Sequence, residues 1–277
     1  EYKFMSSQPQ LYQFVKKNAP EVFEEIRKRV AEGRWEAEGG MFLEADCNLA
    51  SGESLIRQFL YGTRFFEKEF GKKNRILWLP DVFGYSAALP QIMKKCGIRY
   101  FMTTKISWNE FNKMPYDTFM WEGIDGTEIL THFIPARDYG TGAKEGSAET
   151  EHFTTYNAML NPSQVMGSWQ RYSQKYLNSE VLISYGYGDG GGGPTKEMLE
   201  NQRRLAKGIP GSPKTVQSHA LEFFQKLEYS VKGNKYLPKW VGELYLEYHR
   251  GTYTYMARNK KYNRKSENMA ENVEFYA

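Results

Sequence analysis

Arg75-Ile76-Leu77-Trp78-Leu79-Pro80-Asp81 is a compact apolar run stopped by a Pro-Asp pair, and Ser86 follows where a helix ending at Cys96-Gly97 would begin. A short buried strand, a loop and a helix is the repeating unit of α/β proteins. The run Tyr100 to Thr104 supplies the next strand. Upstream, Phe23, Ile26 and Val30 mark one face of a helix that Gly33 closes, Trp35 to Phe42 reads as a strand, and Leu55, Phe59, Phe66 and Phe70 mark a long helix. Downstream, Thr118 to Trp121 and Glu128 to Ile134 form a hairpin pattern around Asp125-Gly126. Further helices are expected over Pro162 to Leu177, Thr195 to Leu205 and from a Ser218 cap to Leu227, with strands at Val181 to Tyr185 and Val241 to Tyr245. This alternation predicts a parallel sheet covered by helices, either open and doubly wound or closed into a barrel. From about Gly251 the pattern becomes helical, with Arg250, Arg258, Lys260, Lys261, Arg264 and Lys265 on what reads as a solvated basic face.

Composition narrows the class. The 277 residues suffice for a full core, and 40% hydrophobic content excludes disorder as the main state. No apolar run reaches the roughly 20 residues of a membrane span. A net charge of +4, spread along the chain, gives no reason to expect a nucleic-acid partner. Cys47 and Cys96 are too few for a disulfide framework and read as small core hydrophobes. The chain begins at Glu1 without Met and stops at Ala277 inside a helical pattern, so an internal fragment is expected.

In parallel α/β folds ligands bind beyond the carboxyl ends of the strands. Asp81 and Asp189 both follow predicted strands, the second within Tyr185-Gly186-Tyr187-Gly188-Asp189-Gly190-Gly191-Gly192-Gly193-Pro194. Two carboxylates at one sheet end can divide labour as nucleophile and acid, as in retaining glycoside hydrolysis, although Asp is also a common turn residue. The glycine loop formally matches the dinucleotide fingerprint. However, Asp189 would place a negative charge beside a pyrophosphate, and Thr215-Val216-Gln217 offers no acidic residue for a ribose. His132, His152, His219 and His249 lack metal-ligand spacing and read as structural, and no Gly-x-Ser-x-Gly supports acyl transfer.

Trp78-Leu79-Pro80-Asp81-Val82-Phe83-Gly84-Tyr85-Ser86 and the glycine loop through Thr195 closely resemble the α-mannosidases of glycoside hydrolase family 38. So do Gly39-Gly40-Met41, Ser51-Gly52-Glu53-Ser54, Thr104-Lys105-Ile106-Ser107-Trp108-Asn109 and His249-Arg250-Gly251-Thr252-Tyr253-Thr254. The loop after Asp189 resembles the bacterial and cytosolic or vacuolar branch, which implies a cytoplasmic location. The resemblance implies a distorted parallel β/α barrel of about seven strands over residues 1–245, lacking its first strand, and the start of a three-helix bundle over 246–277. It implies a zinc-dependent retaining hydrolase of terminal α-linked mannose, acting on α-mannoside oligosaccharides. Asp81 matches the nucleophile and zinc ligand, Asp189 the acid/base, and Phe83, Lys105 and Tyr139 are candidates for substrate contacts. The family's other zinc ligands would fall before Glu1 and after Ala277, so the chain alone is expected to be inactive, and an empty strand position would favour a homo-oligomer. The rival readings are a non-catalytic mannose-binding module and a metal-dependent polysaccharide deacetylase.

Overall fold

The computed structural model describes residues 2–140 and 154–277, so His152 lies outside the described residues. The elements are β1 (Phe4–Ser6), α1 (Pro9–Asn18), α2 (Pro20–Ala31), β2 (Trp35–Ala37), α3 (Gly52–Phe70), β3 (Ile76–Trp78), β4 (Gly84–Tyr85), α4 (Leu89–Lys95) and β5 (Tyr100–Thr103). After these come β6 (Thr118–Glu122), β7 (Glu128–Phe133), α5 (Pro162–Arg171), α6 (Lys196–Leu205), α7 (Ala220–Val231), β8 (Lys239–Val241), β9 (Leu244–Tyr245) and α8 (Ala257–Tyr276). Among the described residues no helix is long and apolar enough to cross a membrane.

The main sheet runs β3-β5-β7-β6-β8. Its β3, β5 and β7 are parallel, and β6 returns antiparallel to β7 through the Asp125-Gly126 hairpin. The sheet is therefore mixed, which corrects the expectation of parallel strands throughout. Two short ribbons flank it: β1 with β2, parallel, and β4 with β9, antiparallel. A bond from the Trp78 N–H to the Gly39 carbonyl (3.2 Å) carries the first ribbon onto β3. These strands make one sheet and two ribbons, and no closed ring is formed among the described residues.

Both faces of the sheet are buried. Leu77, Phe101, Phe119, Trp121, Ile129 and Phe133 join the core on one side; Ile76, Tyr100, Met102 and Leu130 join that on the other. That is why these strands read as unbroken apolar runs: alternation still sorts the side chains, but each side meets a core. The helix α3 packs with its Leu55, Phe59 and Phe66 inward, held by Ser51, whose hydroxyl accepts from the Ser54 N–H (3.1 Å). Cys47 is buried and Cys96 half-buried, both free thiols.

Three local expectations are corrected. The segment 181–185 is not a strand; only Tyr185 forms a bridge, with Ala158. In the parallel register set by that bridge, residues 181–184 would pair with 154–157, but the chain bends at Tyr156 and Asn157, and the Asn157 N–H turns back to the Thr155 hydroxyl (3.2 Å). The helix from Pro162 stops at Arg171 because the next residues turn to the sheet: the Gln174 side chain accepts from the Asp117 and Thr118 N–H groups (2.8 and 2.9 Å). Ser218 does not cap α7, whose N-cap is His219.

Beyond β9 the chain makes a 3-10 turn over Glu247–Tyr253 and enters α8, none of whose residues is buried. Polar contacts hold α8 to α3. Glu267 accepts from the Ser51 N–H (2.9 Å) and the Ser54 hydroxyl (2.8 Å), and the Arg57 fork meets Glu274 at 2.6 and 2.5 Å.

Candidate active site

Asp81 stands just past the carboxyl end of β3. The Pro80 carbonyl accepts from both Thr104 and Lys105 N–H groups (3.2 and 3.1 Å), tying the chain beyond β3 to the chain beyond β5. That tie delivers Lys105 to Asp81, with the ammonium 2.7 Å from Oδ1. Oδ1 is buried and takes no hydrogen bond, so its compensation is the ion pair itself. The Lys105 ammonium also lies 5.0 Å above the Trp108 ring. Buried Tyr85 braces the same loop from below, its hydroxyl 2.9 Å from the Leu79 carbonyl, 2.7 Å from that of Val82 and 2.8 Å from the Thr103 hydroxyl.

Asp189 arrives on the glycine loop with φ 55°, a left-handed conformation that a short polar side chain tolerates. Its Oδ1 accepts from the Tyr156 hydroxyl at 2.7 Å. Burial, then the hydrogen bond to Asp189, then the charges of Asp81 and Asp189 push the Tyr156 phenol up. Tyr156 therefore bonds one carboxylate and feels the charge of the other.

Of the residues singled out from sequence, Asp81, Asp189 and Lys105 come together. Phe83 walls the loop: its ring meets His249 at 4.9 Å edge-on and Tyr253 at 5.8 Å. Tyr139 is 53% exposed beside the start of α5, its N–H donating to Ser163, and among the described residues no hydrogen bond or ring contact joins its side chain to the cluster.

Two residues escaped the sequence. Tyr156 lies between predicted elements, and only the Ala158 to Tyr185 bridge brings it to the loop. Glu44 is held up to about 7 by burial and then by the charge of Asp81, which places a third carboxyl beside the site. Nothing in the irregular stretch after β2 distinguishes it from a surface glutamate.

The zinc expectation does not fit these residues by themselves. Asp81 Oδ1 is engaged by Lys105, and among the described residues no three His, Cys, Asp or Glu side chains converge as metal ligands. A cavity of about 730 Å³ opens instead between Tyr2–Met5, the 181–185 segment and Lys214–Ser218. Neither Asp81 nor Asp189 lines it.

The model of the glycosyl hydrolases family 38 N-terminal domain matches residues 1–243. Alpha-mannosidase G of Dictyostelium discoideum is 47% identical over 95% of this chain and 22% of its own length. The Homo sapiens alpha-mannosidase 2C1 is 42% identical over 99% of this chain and 24% of its own. The crystal structure of an alpha-mannosidase from Enterococcus faecalis V583 superposes with TM-score 0.63 at 19% identity, covering 88% of this chain and 26% of that one. The chain thus spans about a quarter of the length of the curated relatives it matches.

Proposed function

Because this chain belongs to glycosyl hydrolase family 38, a family of glycoside hydrolases, we propose that it carries the catalytic carboxylates of an α-mannosidase that cleaves terminal α-linked mannose with retention. The observation that carries this reading is that Tyr156 bonds Asp189 at 2.7 Å and also feels the charge of Asp81, which stands past the end of β3. The two carboxyls of a retaining pair stand roughly 5 to 5.5 Å apart, which is the separation this reading requires of Asp81 and Asp189.

In the first step Asp81 attacks the anomeric carbon. The bond to the leaving oxygen breaks with its electron pair, and Asp189 gives that oxygen a proton. In the second, Asp189 takes a proton from water, the water oxygen bonds to the anomeric carbon, and Asp81 departs as carboxylate. Lys105 holds Asp81 Oδ1, so the other oxygen is the one presented for attack. Phe83 and the wall of His249 and Tyr253 offer an apolar face to the sugar ring. Lys105 and Tyr139 remain proposed contacts for sugar hydroxyls. We further propose that in the full-length protein these strands form part of a distorted β/α barrel.

Zinc dependence is proposed only for a protein with ligands besides the described residues, and no step above is routed through the metal. The family match speaks against the deacetylase and the non-catalytic module.

The test is release of mannose from α-mannosides by the full-length protein, with the first-formed anomer read by NMR and Asp81→Asn in parallel. Retention with loss of turnover in the variant supports the reading. Turnover that survives Asp81→Asn, or an inverted first product, overturns it.

A further inference from the structure

Resting on that reading, we infer that Tyr156 is a positioning residue that sets which oxygen of Asp189 carries the proton for the departing sugar oxygen. A carboxyl has two oxygens and one acidic hydrogen. With Oδ1 accepting from the Tyr156 hydroxyl at 2.7 Å, a proton on Oδ1 would compete with that donated bond. The acidic hydrogen is thereby directed to Oδ2, the oxygen free to face a substrate.

Three independent contacts fix the tyrosine for this task. The bridge between Ala158 and Tyr185 clamps its segment to the loop, through Ala158 N–H to the Ser184 carbonyl (3.1 Å) and Gly186 N–H to the Ala158 carbonyl (3.0 Å). Thr155 N–H donates to the Ala136 carbonyl (2.8 Å), just past β7, and Thr154 N–H to the Ser107 hydroxyl (3.0 Å), beside Lys105. Gly188 completes the fit, because a Cβ there would stand 2.7 Å from the Tyr156 ring carbon Cε2. The residue before the acid is thus bare at the point where the tyrosine ring passes beneath it.

The experiment compares kcat/KM of the full-length protein and its Tyr156→Phe and Asp189→Ala variants on two substrates. One is α-mannobiose, whose leaving sugar needs a proton; the other is 2,4-dinitrophenyl α-mannoside, whose leaving phenolate does not. If Tyr156 positions the acid, Tyr156→Phe lowers the mannobiose value by roughly 10- to 100-fold and the dinitrophenyl value by less than about threefold. The dinitrophenyl rate also reports that the variant is folded. Equal losses on both substrates, or no loss on either, overturn the positioning role. A wild-type protein without turnover, or an Asp189→Ala variant whose loss ignores the leaving group, overturns the underlying assignment, and the inference with it.

Discussion

The Lys105 ammonium lies 2.7 Å from the buried Oδ1 of Asp81, an ion pair created because one carbonyl, that of Pro80, ties the chain past β3 to the chain past β5. The pair links Asp81 to the sheet: the lysine enters where β5 ends, so its reach is set by the sheet and not by a free loop. Replacing Lys105 with Met keeps most of the side-chain volume and removes the charge. Asp81 would then lack a partner for its buried oxygen, and kcat/KM of the full-length protein on α-mannosides is expected to fall by about 100-fold, with a modest drop in melting temperature. Steady-state kinetics with thermal unfolding in parallel checks this; a loss under about threefold would remove Lys105 from the site.

Gly188 offers a second route to Tyr156 that leaves the tyrosine itself intact. The backbone there lies outside the left-handed region, so alanine strains nothing locally, yet its Cβ would press on the tyrosine ring. Gly188→Ala is expected to reproduce the leaving-group dependence of Tyr156→Phe, with the mannobiose rate falling about tenfold and the dinitrophenyl rate little changed. If instead both substrates keep wild-type rates, the ring has room to move and its position is not what the glycine secures.

Much of this was legible in the sequence, and the failures share a cause. The strand, loop and helix from Ile76 to Lys95, the α3 helix and the hairpin of β6 and β7 follow from local apolar spacing and turn residues. Asp81 stands out because a polar residue just past an apolar run marks the end of a strand, here β3, whereas Asp189 is singled out on a strand at 181–185 that the chain does not form. What escaped depends on pairings between distant segments. Tyr156 reaches Asp189 across 33 positions only because Ala158 pairs with Tyr185. The run at 181–185 has the composition of a strand, but the chain it would pair with bends at Tyr156 and Asn157. The helix α1 has no counterpart in the sequence reading; it buries Pro9 and Tyr12 while Leu11 and Phe14 face solvent at 50% and 53% exposure. Antiparallel β6 follows from the tight hairpin, and it is this return that breaks the parallel order expected of the sheet.

Gly84 shows how tightly the site wall is built. A Cβ at this position would collide with the Asn48 amide and the Tyr253 hydroxyl, which bond to each other at 2.8 Å. Tyr253 in turn packs on Phe83. Gly84→Ala is therefore expected to destabilise the protein by about 1 to 3 kcal/mol, the usual range for overpacking, and to raise KM more than it lowers kcat because Phe83 shifts. Urea unfolding and kinetics on the same preparation test it; wild-type stability with wild-type KM would show that the wall yields.

Glu38 makes the fold itself sensitive to pH. The side chain is buried on the strand side of the first ribbon, and its Oε1 accepts from the Arg75 and Ile76 N–H groups at 2.8 and 3.0 Å, fixing the start of β3. Burial pushes its carboxyl up from 4.5 to about 8, and the nearby charge of Glu36 acts in the same direction. Between those values the folded chain holds a proton that the unfolded chain has released. Stability is therefore full below about pH 4.5 and is lost as pH rises through about 8. At 1.36 kcal/mol per unit the upper bound is about 5 kcal/mol. Glu38→Gln keeps an oxygen to accept the two N–H bonds and abolishes the ionisation. The variant should match the parent near pH 5 and exceed it by a few kcal/mol near pH 9, as read from urea midpoints at several pH values. Parallel pH profiles for the two proteins would mean that Glu38 is ionised at neutral pH and that its two backbone donors suffice to hold the charge.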